Sequence, residues 1–313
     1  MLAVVAAAIC AASAQPAHAS KYLKIGIYDD AQTLYGPIDQ AMVTLKQLHV
    51  QELRVTLYWG GPFGVARRRP ANATSPTDPA YDWSSYDRVV RYANQYGMHV
   101  LFSVYGTPGW ANGLHGLNFA PTRGADLRNF VLAAAKRYGG SFPDGQGGQL
   151  PPVKEWTAWN EPNNPNFLFP QYKKTSKGWV IQSALDYVKI CNAVYQGVHA
   201  TLLRDERVAC GVTGPRGNND PSSQRPSVSP LAFLRAVKKD GLKKFDAWAH
   251  HPYYAGASDQ PTTKPVEKKF ASPRAGDIRD SWADVSAARQ ALQWEPSVGL
   301  EEGLRLTATA LLG

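Results

Sequence analysis

The chain has 313 residues, of which 44% are hydrophobic, 11% are aromatic and 19% are charged, and its formal net charge is +9. This composition is typical of a folded protein with one large or two small hydrophobic cores, and it argues against a disordered or membrane-spanning chain. Positive charges cluster at residues 67–69 and 238–244 without interleaved aromatic residues. They predict a solvated basic face and no nucleic-acid partner, although such a face also allows a weak attraction to acidic polysaccharide.

The N-terminal segment has the features of an export signal. Residues 2–14 are apolar and rich in alanine, and Ala17-His18-Ala19 matches the small-x-small pattern before a cleavage site. We therefore expect a signal peptide over residues 1–19, a secreted protein, and no membrane association after the signal is removed. In a secreted protein, Cys191 and Cys210 are expected either to form a disulfide or to be buried as free thiols.

Short apolar strands alternate with amphipathic helices along the chain. Six strands are predicted at residues 24–28, 53–59, 99–105, 153–159, 208–213 and 245–254. Helices are predicted by apolar spacing over residues 38–48, 86–93, 126–138 and 183–202, and from Ser229 onward. Because each connection is long enough for a right-handed crossover, the predicted fold class is α/β, a parallel (β/α)8 barrel of the TIM-barrel type. A doubly wound sheet is less favoured, since no dinucleotide fingerprint occurs.

The fourth predicted strand leads into the segment Trp159-Asn160-Glu161-Pro162. A carboxylic acid at the C-terminal end of a strand can protonate a glycosidic oxygen, and the neighbouring amide can bind a sugar hydroxyl. That role predicts a raised pKa for Glu161. The alternative is an ordinary strand-to-loop turn with a solvated glutamate. Polar and aromatic residues also follow other strands, on what would be the catalytic face of a barrel: Trp59, Trp110, His251 and Tyr253.

Residues 21–265 resemble the secreted bacterial cellulase-like glycoside hydrolases of the large retaining (β/α)8 clan. The matching segments are Leu53-Arg54-Val55, Trp159-Asn160-Glu161-Pro162 and His251-Pro252-Tyr253. The resemblance implies a carbohydrate substrate, with Glu161 as general acid/base and Asn160 on the sugar 2-hydroxyl. It also implies that Arg54 braces the nucleophile and that His251 and Tyr253 line the sugar site. The alternatives are a buried ion pair for Arg54 and a hydrogen-bonded core histidine for His251. No cofactor or metal is implied.

The same clan requires a second carboxylate at the end of a seventh strand, about 5 Å from the first. No run of strand quality occurs in residues 255–313, and the glutamates there fall on predicted loops or helices. We therefore expect an incomplete barrel of six βα units, with strands seven and eight missing and the first and sixth strands unpaired on one edge. Loss of the nucleophile is expected to impair hydrolysis.

Residues 273–312 are similar to the C-terminal end of nucleotide-sugar epimerases. The segments that carry this second resemblance are Arg274-Ala275-Gly276-Asp277 and Leu292-Gln293-Trp294-Glu295-Pro296. The glycine-rich cofactor turn and the Tyr-x-x-x-Lys pair of those enzymes are not found, so epimerase activity is not expected.

The predicted organisation is therefore a signal peptide over residues 1–19, a truncated hydrolase barrel over 20–265 and a helical epimerase-like tail over 266–313. This organisation indicates a chimeric or misassembled product. Its predicted function is that of a glycoside hydrolase that retains anomeric configuration, impaired by loss of its nucleophile. The alternative is a non-catalytic carbohydrate-binding remnant that stacks sugars on Trp59, Trp110 and Trp159.

Overall fold

The computed structural model describes residues 24–201, 203 and 205–252. From Ile25 onward they belong to one compact unit of the chain. The predicted signal peptide, the epimerase-like tail and Tyr253 lie outside the described residues, so those expectations stay predictions. In the part that is described, no helix combines the length and the apolar character needed to cross a membrane.

The strands fall into a large sheet and a small hairpin. They are β1 Gly26–Tyr28, β2 Glu52–Tyr58, β3 His99–Tyr105, β4 Glu155–Ala158, β5 Lys173–Thr175, β6 Gly178–Val180, β7 Arg207–Thr213 and β8 Ala247–His250. Six of them form one parallel sheet in the order β1-β2-β3-β4-β7-β8, while β5 and β6 pair as an antiparallel hairpin.

Helices lie on the crossovers between the strands of the large sheet. They are α1 Asp30–Thr33, α2 Ile38–Gln47, α3 Ser84–Gln95, α4 Gly109–Asn112, α5 Gly124–Arg137, α6 Gln182–Val198 and α7 Pro230–Lys239. Neighbours in the sheet follow the order of the chain, as in a (β/α)8 barrel. The fold of the described residues is thus a curled half-barrel of the TIM-barrel type with six parallel strands, which confirms the predicted fold class.

The two edges of this sheet are β1 and β8. In the range from residue 24 to residue 252, β1 pairs only with β2, and β8 pairs only with β7. Both ends of β8 are exposed to solvent, at Ala247 and His250. The expectation of two open edges therefore agrees with the described part of the chain.

Sequence periodicity missed the shortest elements. The helices α1 and α4 have only four residues each, which is too short for a repeat of apolar positions. The hairpin of β5 and β6 consists mostly of exposed residues, so it lacks the alternation of buried and exposed positions that indicates a strand. All six strands of the large sheet were predicted, with ends that differ by a few residues.

Strand alternation in β2 separates the core from the functional face. Leu53, Val55 and Leu57 are completely buried against the helices, and Trp59 continues this row at the end of the strand. Arg54 and the residues two and four positions later therefore point to the concave face of the sheet. Arg54 reaches His251, four places away in the strand order, only because the sheet curls.

The helix-facing side of the sheet holds an aromatic core. Trp59 stacks on Phe130 with ring centroids 5.8 Å apart, and Phe130 stacks on Trp83 at the same distance. Trp110 meets Trp59 edge-on at 5.5 Å. These rings bury large apolar areas in preferred geometries, so they fix β2 and the following loop against α3 and α5.

Cys191 of α6 and Cys210 of β7 form a disulfide, and both residues are fully buried. This settles the choice between a disulfide and free thiols that the sequence left open. Because the bond closes a loop between residues 19 positions apart, it removes conformational freedom from the unfolded chain.

Replacing both cysteines by alanine is expected to lower the free energy of unfolding by about 3 kcal/mol, mainly through the lost loop closure. Guanidinium denaturation of the oxidised protein measures the change. A reductant should destabilise the wild-type protein and leave the double variant unaffected. Equal denaturation midpoints for the oxidised wild type and the double variant would contradict this expectation.

Candidate active site

The site lies where β4, β7 and β8 end, on the C-terminal edge of the sheet. Beyond β4 the backbone turns sharply, with a φ of 73° at Trp159 and 36° at Glu161. Val212 in β7 also has a positive φ of 44°, and its carbonyl accepts the Glu161 backbone N–H at 2.9 Å. A non-glycine residue with a positive φ costs about 1–3 kcal/mol of folding free energy. Such a conformation persists where the surrounding structure imposes it, often at functional sites.

Arg54 holds together side chains from three other strands. Its Nε donates to Ser103 Oγ at 2.7 Å and its Nη2 donates to Asn160 Oδ1 at 2.8 Å. Its Nη1 lies 3.1 Å from His251 Nε2. The planar guanidinium fork thus fixes the ends of β3, β4 and β8 relative to one another, as the resemblance implied for a bracing arginine.

Arg54 also assigns the tautomer of His251. A guanidinium group only donates, so His251 Nε2 accepts and the ring proton lies on Nδ1. His251 Nδ1 is 3.0 Å from Glu161 Oε1, to which it donates. The three side chains therefore form a hydrogen-bonded chain that runs from Arg54 through His251 to Glu161.

Glu161 is mostly shielded from water, with 13% of its side chain exposed. Its Oε1 accepts from His251, and its Oε2 accepts from Asn164 Nδ2 at 3.1 Å. Burial raises the pKa of Glu161, but the bonds from His251 and Asn164 and the charge of Arg54 outweigh burial and hold the pKa below its ordinary value. The predicted raised pKa is therefore wrong for this structure, because the two donors stabilise the ionised form.

Replacing His251 by alanine is expected to raise the pKa of Glu161, since the loss of one donor lets burial dominate. Carboxyl-carbon NMR titration measures this pKa directly. In the wild type, ionised Glu161 stabilises the fold above its unfolded pKa of about 4.3, and this stability is lost as the pH falls through the lower folded pKa.

His250→Ala is the matched control for this titration. The ring of His250 contacts Thr213 Oγ1 at 2.8 Å and is not bonded to Glu161. The control should leave the pKa of Glu161 where it is in the wild type. An unchanged pKa in His251→Ala would show that the His251 bond does not set the ionisation of Glu161.

Two of the predicted sugar contacts do not fit the geometry of the site. Trp59 is completely buried on the helix side of the sheet, because it lies an odd number of positions after Arg54. Trp159 is also completely buried, and its Nε1 donates to the Phe167 carbonyl at 2.6 Å. The prediction that these indoles are stacking platforms is wrong. Trp110 is half-buried and one face is covered by Arg69, 4.6 Å from the ring centroid.

Tyrosines, which sequence reasoning missed, occupy the concave face instead. Tyr28, Tyr58 and Tyr105 are the last residues of β1, β2 and β3. Tyr28 is 51% exposed, and its ring lies 5.1 Å from the Arg54 guanidinium. Tyr58 follows Arg54 by four positions, so strand alternation alone places both on one face. These rings are better placed than Trp59 to stack on a sugar.

Asp30 holds Tyr28 and the neighbouring strand β2 in position. Its Oδ2 accepts from the Tyr28 hydroxyl at 3.2 Å and its Oδ1 accepts from the Thr56 backbone N–H at 3.2 Å. Burial raises the pKa of Asp30, and the bonds from Thr56 and Tyr28 reduce this effect only in part. Within residues 24–252, no group of three or more histidine, cysteine or acidic side chains is arranged to hold a metal ion.

No family model matches the sequence. Over 44 residues, 14% of each chain, the sequence is 36% identical to a UDP-glucuronate 4-epimerase from Thermodesulfobacterium geofontis. The fold is similar to a glucosidase from Croceicoccus marinus, with a TM-score of 0.45 and 14% identity over 66% of this chain and 38% of that one.

Two further solved structures are similar to the fold. A family 39 glycoside hydrolase from Bacteroides cellulosilyticus WH2 has a TM-score of 0.44 and 17% identity over 74% of this chain and 38% of that one. The catalytic domain of GH30 xylanase C from Talaromyces cellulolyticus has a TM-score of 0.44 and 14% identity over 73% and 52%. The chain thus spans about two fifths to one half of the length of these structures. Likenesses of this size carry no information on function.

Proposed function

We propose that the protein is a glycoside hydrolase that cleaves O-glycosidic bonds of an oligo- or polysaccharide, with Glu161 as its general acid/base. The observation that supports this proposal is the position of Glu161 at the C-terminal edge of a curled parallel sheet, held between Asn164 and the Arg54–His251 pair. Enzymes built on this fold place their chemistry at this edge.

Asn160 is the proposed sugar ligand beside the acid. Because Asn160 Oδ1 accepts from Arg54, its amide Nδ2 is left to donate to a ring hydroxyl. Exposed Tyr28 gives the sugar an apolar face on the same side of the sheet. Glu161 is ionised in the free protein, so it must gain its proton when a sugar enters and displaces water from the site.

Retention of configuration requires a second carboxyl group as nucleophile. A carboxylate about 5 Å away would raise the pKa of Glu161, but in the described part of the chain the groups that act most on this pKa are His251, Asn164 and Arg54, and none of them is a carboxylate. We therefore propose that this 313-residue chain hydrolyses glycosides at least about a thousandfold more slowly than a complete enzyme, which is the scale of losing a nucleophile elsewhere.

An aryl glycoside assay with and without azide tests this proposal. Azide can form a C–N bond at the anomeric carbon as the bond to the aryloxide breaks, which gives a glycosyl azide of inverted configuration. We expect slow hydrolysis without azide, and with azide a faster release of the aryloxide together with formation of the glycosyl azide. Fast hydrolysis without azide would support a hydrolase, but it would contradict the proposal that the chain lacks a nucleophile.

The second candidate is a carbohydrate-binding remnant without catalysis. The depressed pKa of Glu161 favours it, because an ionised carboxylate is a poor proton donor. Saccharide binding with no turnover, with or without azide, would support this candidate over a hydrolase.

We also propose that the protein is secreted, which the Cys191–Cys210 disulfide supports, because such bonds persist in oxidising compartments.

A further inference from the structure

The side chain of Tyr187 joins β4 to β7 immediately before the turn that carries Glu161. Tyr187 lies on α6 and is completely buried. Its hydroxyl donates to the Ala158 carbonyl at 2.9 Å and accepts from the Gly211 backbone N–H at 2.7 Å. A hydroxyl can make both bonds at once, because it has one proton and two lone pairs. This bridge has no part in the mechanism above.

The Tyr187 hydroxyl takes the place of a backbone hydrogen bond between the two strands. The parallel pairing of β4 with β7 ends at Thr157 and Ala209, one residue before Ala158. At Gly211 the strand β7 departs from regular geometry, with a φ of 87° and an irregular register toward β8. The Gly211 N–H therefore leaves the ladder, and a buried N–H without a partner is costly. The hydroxyl satisfies this N–H and the last carbonyl of β4 together.

Both hydrogen-bond partners of this hydroxyl adjoin the strained residues of the site. Ala158 precedes Trp159, whose φ is 73°. Gly211 precedes Val212, whose φ is 44° and whose carbonyl accepts from the Glu161 backbone N–H at 2.9 Å. One bridge thus fixes the spacing of the two backbone segments that hold Glu161. A change in this spacing would move the carboxylate relative to its donors.

The core holds the Tyr187 ring in place. Cys191 is one turn further along α6, and its disulfide to Cys210 ties this helix to the residue next to Gly211. The Tyr187 ring also packs on Phe233 of α7, with ring centroids 5.5 Å apart. Burial raises the pKa of the Tyr187 phenol, so the hydroxyl stays neutral and keeps the proton that it donates to β4.

We propose that Tyr187 is a positioning residue for Glu161: its hydroxyl sets the spacing of β4 and β7 and so keeps the carboxylate within reach of His251 and Asn164. This role rests on the proposed function, because Glu161 is the acid of that reaction. Tyr187 does not touch the reacting atoms and acts through the backbone of the two strands. Without the hydroxyl, its two buried backbone partners lose their hydrogen bonds, so the strands shift and the turn moves with them.

Carboxyl-carbon NMR titration of Glu161 in the full chain tests this role, with Tyr187→Phe as the variant. The change keeps the buried ring and removes only the hydroxyl. We expect the pKa of Glu161 to rise by about one unit, the scale of one weakened charge-assisted hydrogen bond. The direction is upward because burial then outweighs the donors that are left.

Tyr138→Phe is the matched control, because it also removes a buried tyrosine hydroxyl, which donates to Asp87 Oδ1 at 2.9 Å. That bond joins the end of α5 to α3 in the helix layer. The control should destabilise the fold but leave the pKa of Glu161 at its wild-type value. An unchanged pKa in Tyr187→Phe, or an equal rise in Tyr138→Phe, overturns the positioning role.

Amide hydrogen exchange at Gly211 is a second measurement, and it needs no variant. In the wild type the Gly211 N–H should exchange as slowly as the other buried amides of β7. Fast exchange would show that the Tyr187 bond does not persist in solution, and it would also overturn the role.

Neither measurement depends on turnover, so the two proposals can fail separately. A raised pKa in Tyr187→Phe, in a chain that hydrolyses no glycoside, supports Tyr187 as the support of the carboxylate and contradicts the hydrolase. Turnover by the wild type together with an unchanged pKa in Tyr187→Phe supports the hydrolase and overturns the role of Tyr187.

Discussion

Glu161→Gln is expected to lower the turnover of glycosides with poor leaving groups by about 10²–10⁴-fold, the usual contribution of a general acid. Glutamine has the shape of glutamate but cannot deliver a proton to the glycosidic oxygen. Its side-chain oxygen can still accept from His251, whereas its amide nitrogen cannot accept from Asn164 Nδ2, so one of the two bonds that hold the side chain is kept. Rates for alkyl glycosides and for dinitrophenyl glycosides, measured on the same samples, give the comparison.

Dinitrophenyl glycosides should be nearly unaffected in the bond-breaking step, because their leaving groups need no proton. Glu155→Gln makes the same change at the N-terminal end of β4, whereas Glu161 follows the C-terminal end of that strand. It should leave both rates unchanged. A similar loss on the two classes of substrate would exclude Glu161 as the acid and point to a structural role.

Arg54→Lys is expected to lower turnover at least about a hundredfold and to destabilise the fold by about 3 kcal/mol. A lysine ammonium is a compact charge and cannot reach Ser103, Asn160 and His251 together. Without Arg54, the amide of Asn160 is free to rotate and His251 loses the partner that fixes its tautomer. The positive charge beside Glu161, which lowers its pKa in the wild type, is kept by lysine, so the loss of turnover tests the contacts of the guanidinium group rather than its charge.

Guanidinium denaturation and initial rates measure these two effects of Arg54→Lys on the same preparation. Arg123→Lys is the control, because Arg123 is exposed and pairs with Asp126 at the surface, where ion pairs contribute little. It should change neither stability nor rate. An Arg54→Lys variant with wild-type stability and rate would show that the contacts of the guanidinium group are dispensable.

The sequence carries enough information for the large sheet, because its six strands are apolar runs separated by amphipathic helices. It also brings Arg54, Asn160, Glu161 and His251 together, since polar residues at the C-terminal ends of parallel strands share one edge. Strand alternation was the signal overlooked for Trp59. Counting positions from Arg54 assigns Tyr58 to the concave face and Trp59 to the core.

The ionisation of Glu161 could not be predicted from the sequence. It depends on whether donors reach the carboxylate, and His251 is 90 positions away in the chain. Asn164 is close in sequence, but its bond to Glu161 depends on the left-handed turn after β4. Burial and hydrogen bonding act in opposite directions on this pKa, so a small change in geometry decides the sign. The contacts of buried Asn163 are equally invisible in the sequence, because its side chain bonds to residues 51 to 65 positions away.

The positive φ angles of Trp159, Glu161 and Val212 lower the stability of the fold, and the same strained backbone holds the Glu161 carboxylate in position. Each of these residues raises the free energy of the folded state, so substitutions that relaxed the backbone there without losing buried side-chain contacts would make the protein more heat-resistant. The same substitutions would let the Glu161 carboxylate drift from its donors, because the Val212 carbonyl holds the Glu161 backbone. Selection for stability alone would therefore erode this turn first, whereas selection for a fixed carboxylate would preserve its strained conformation.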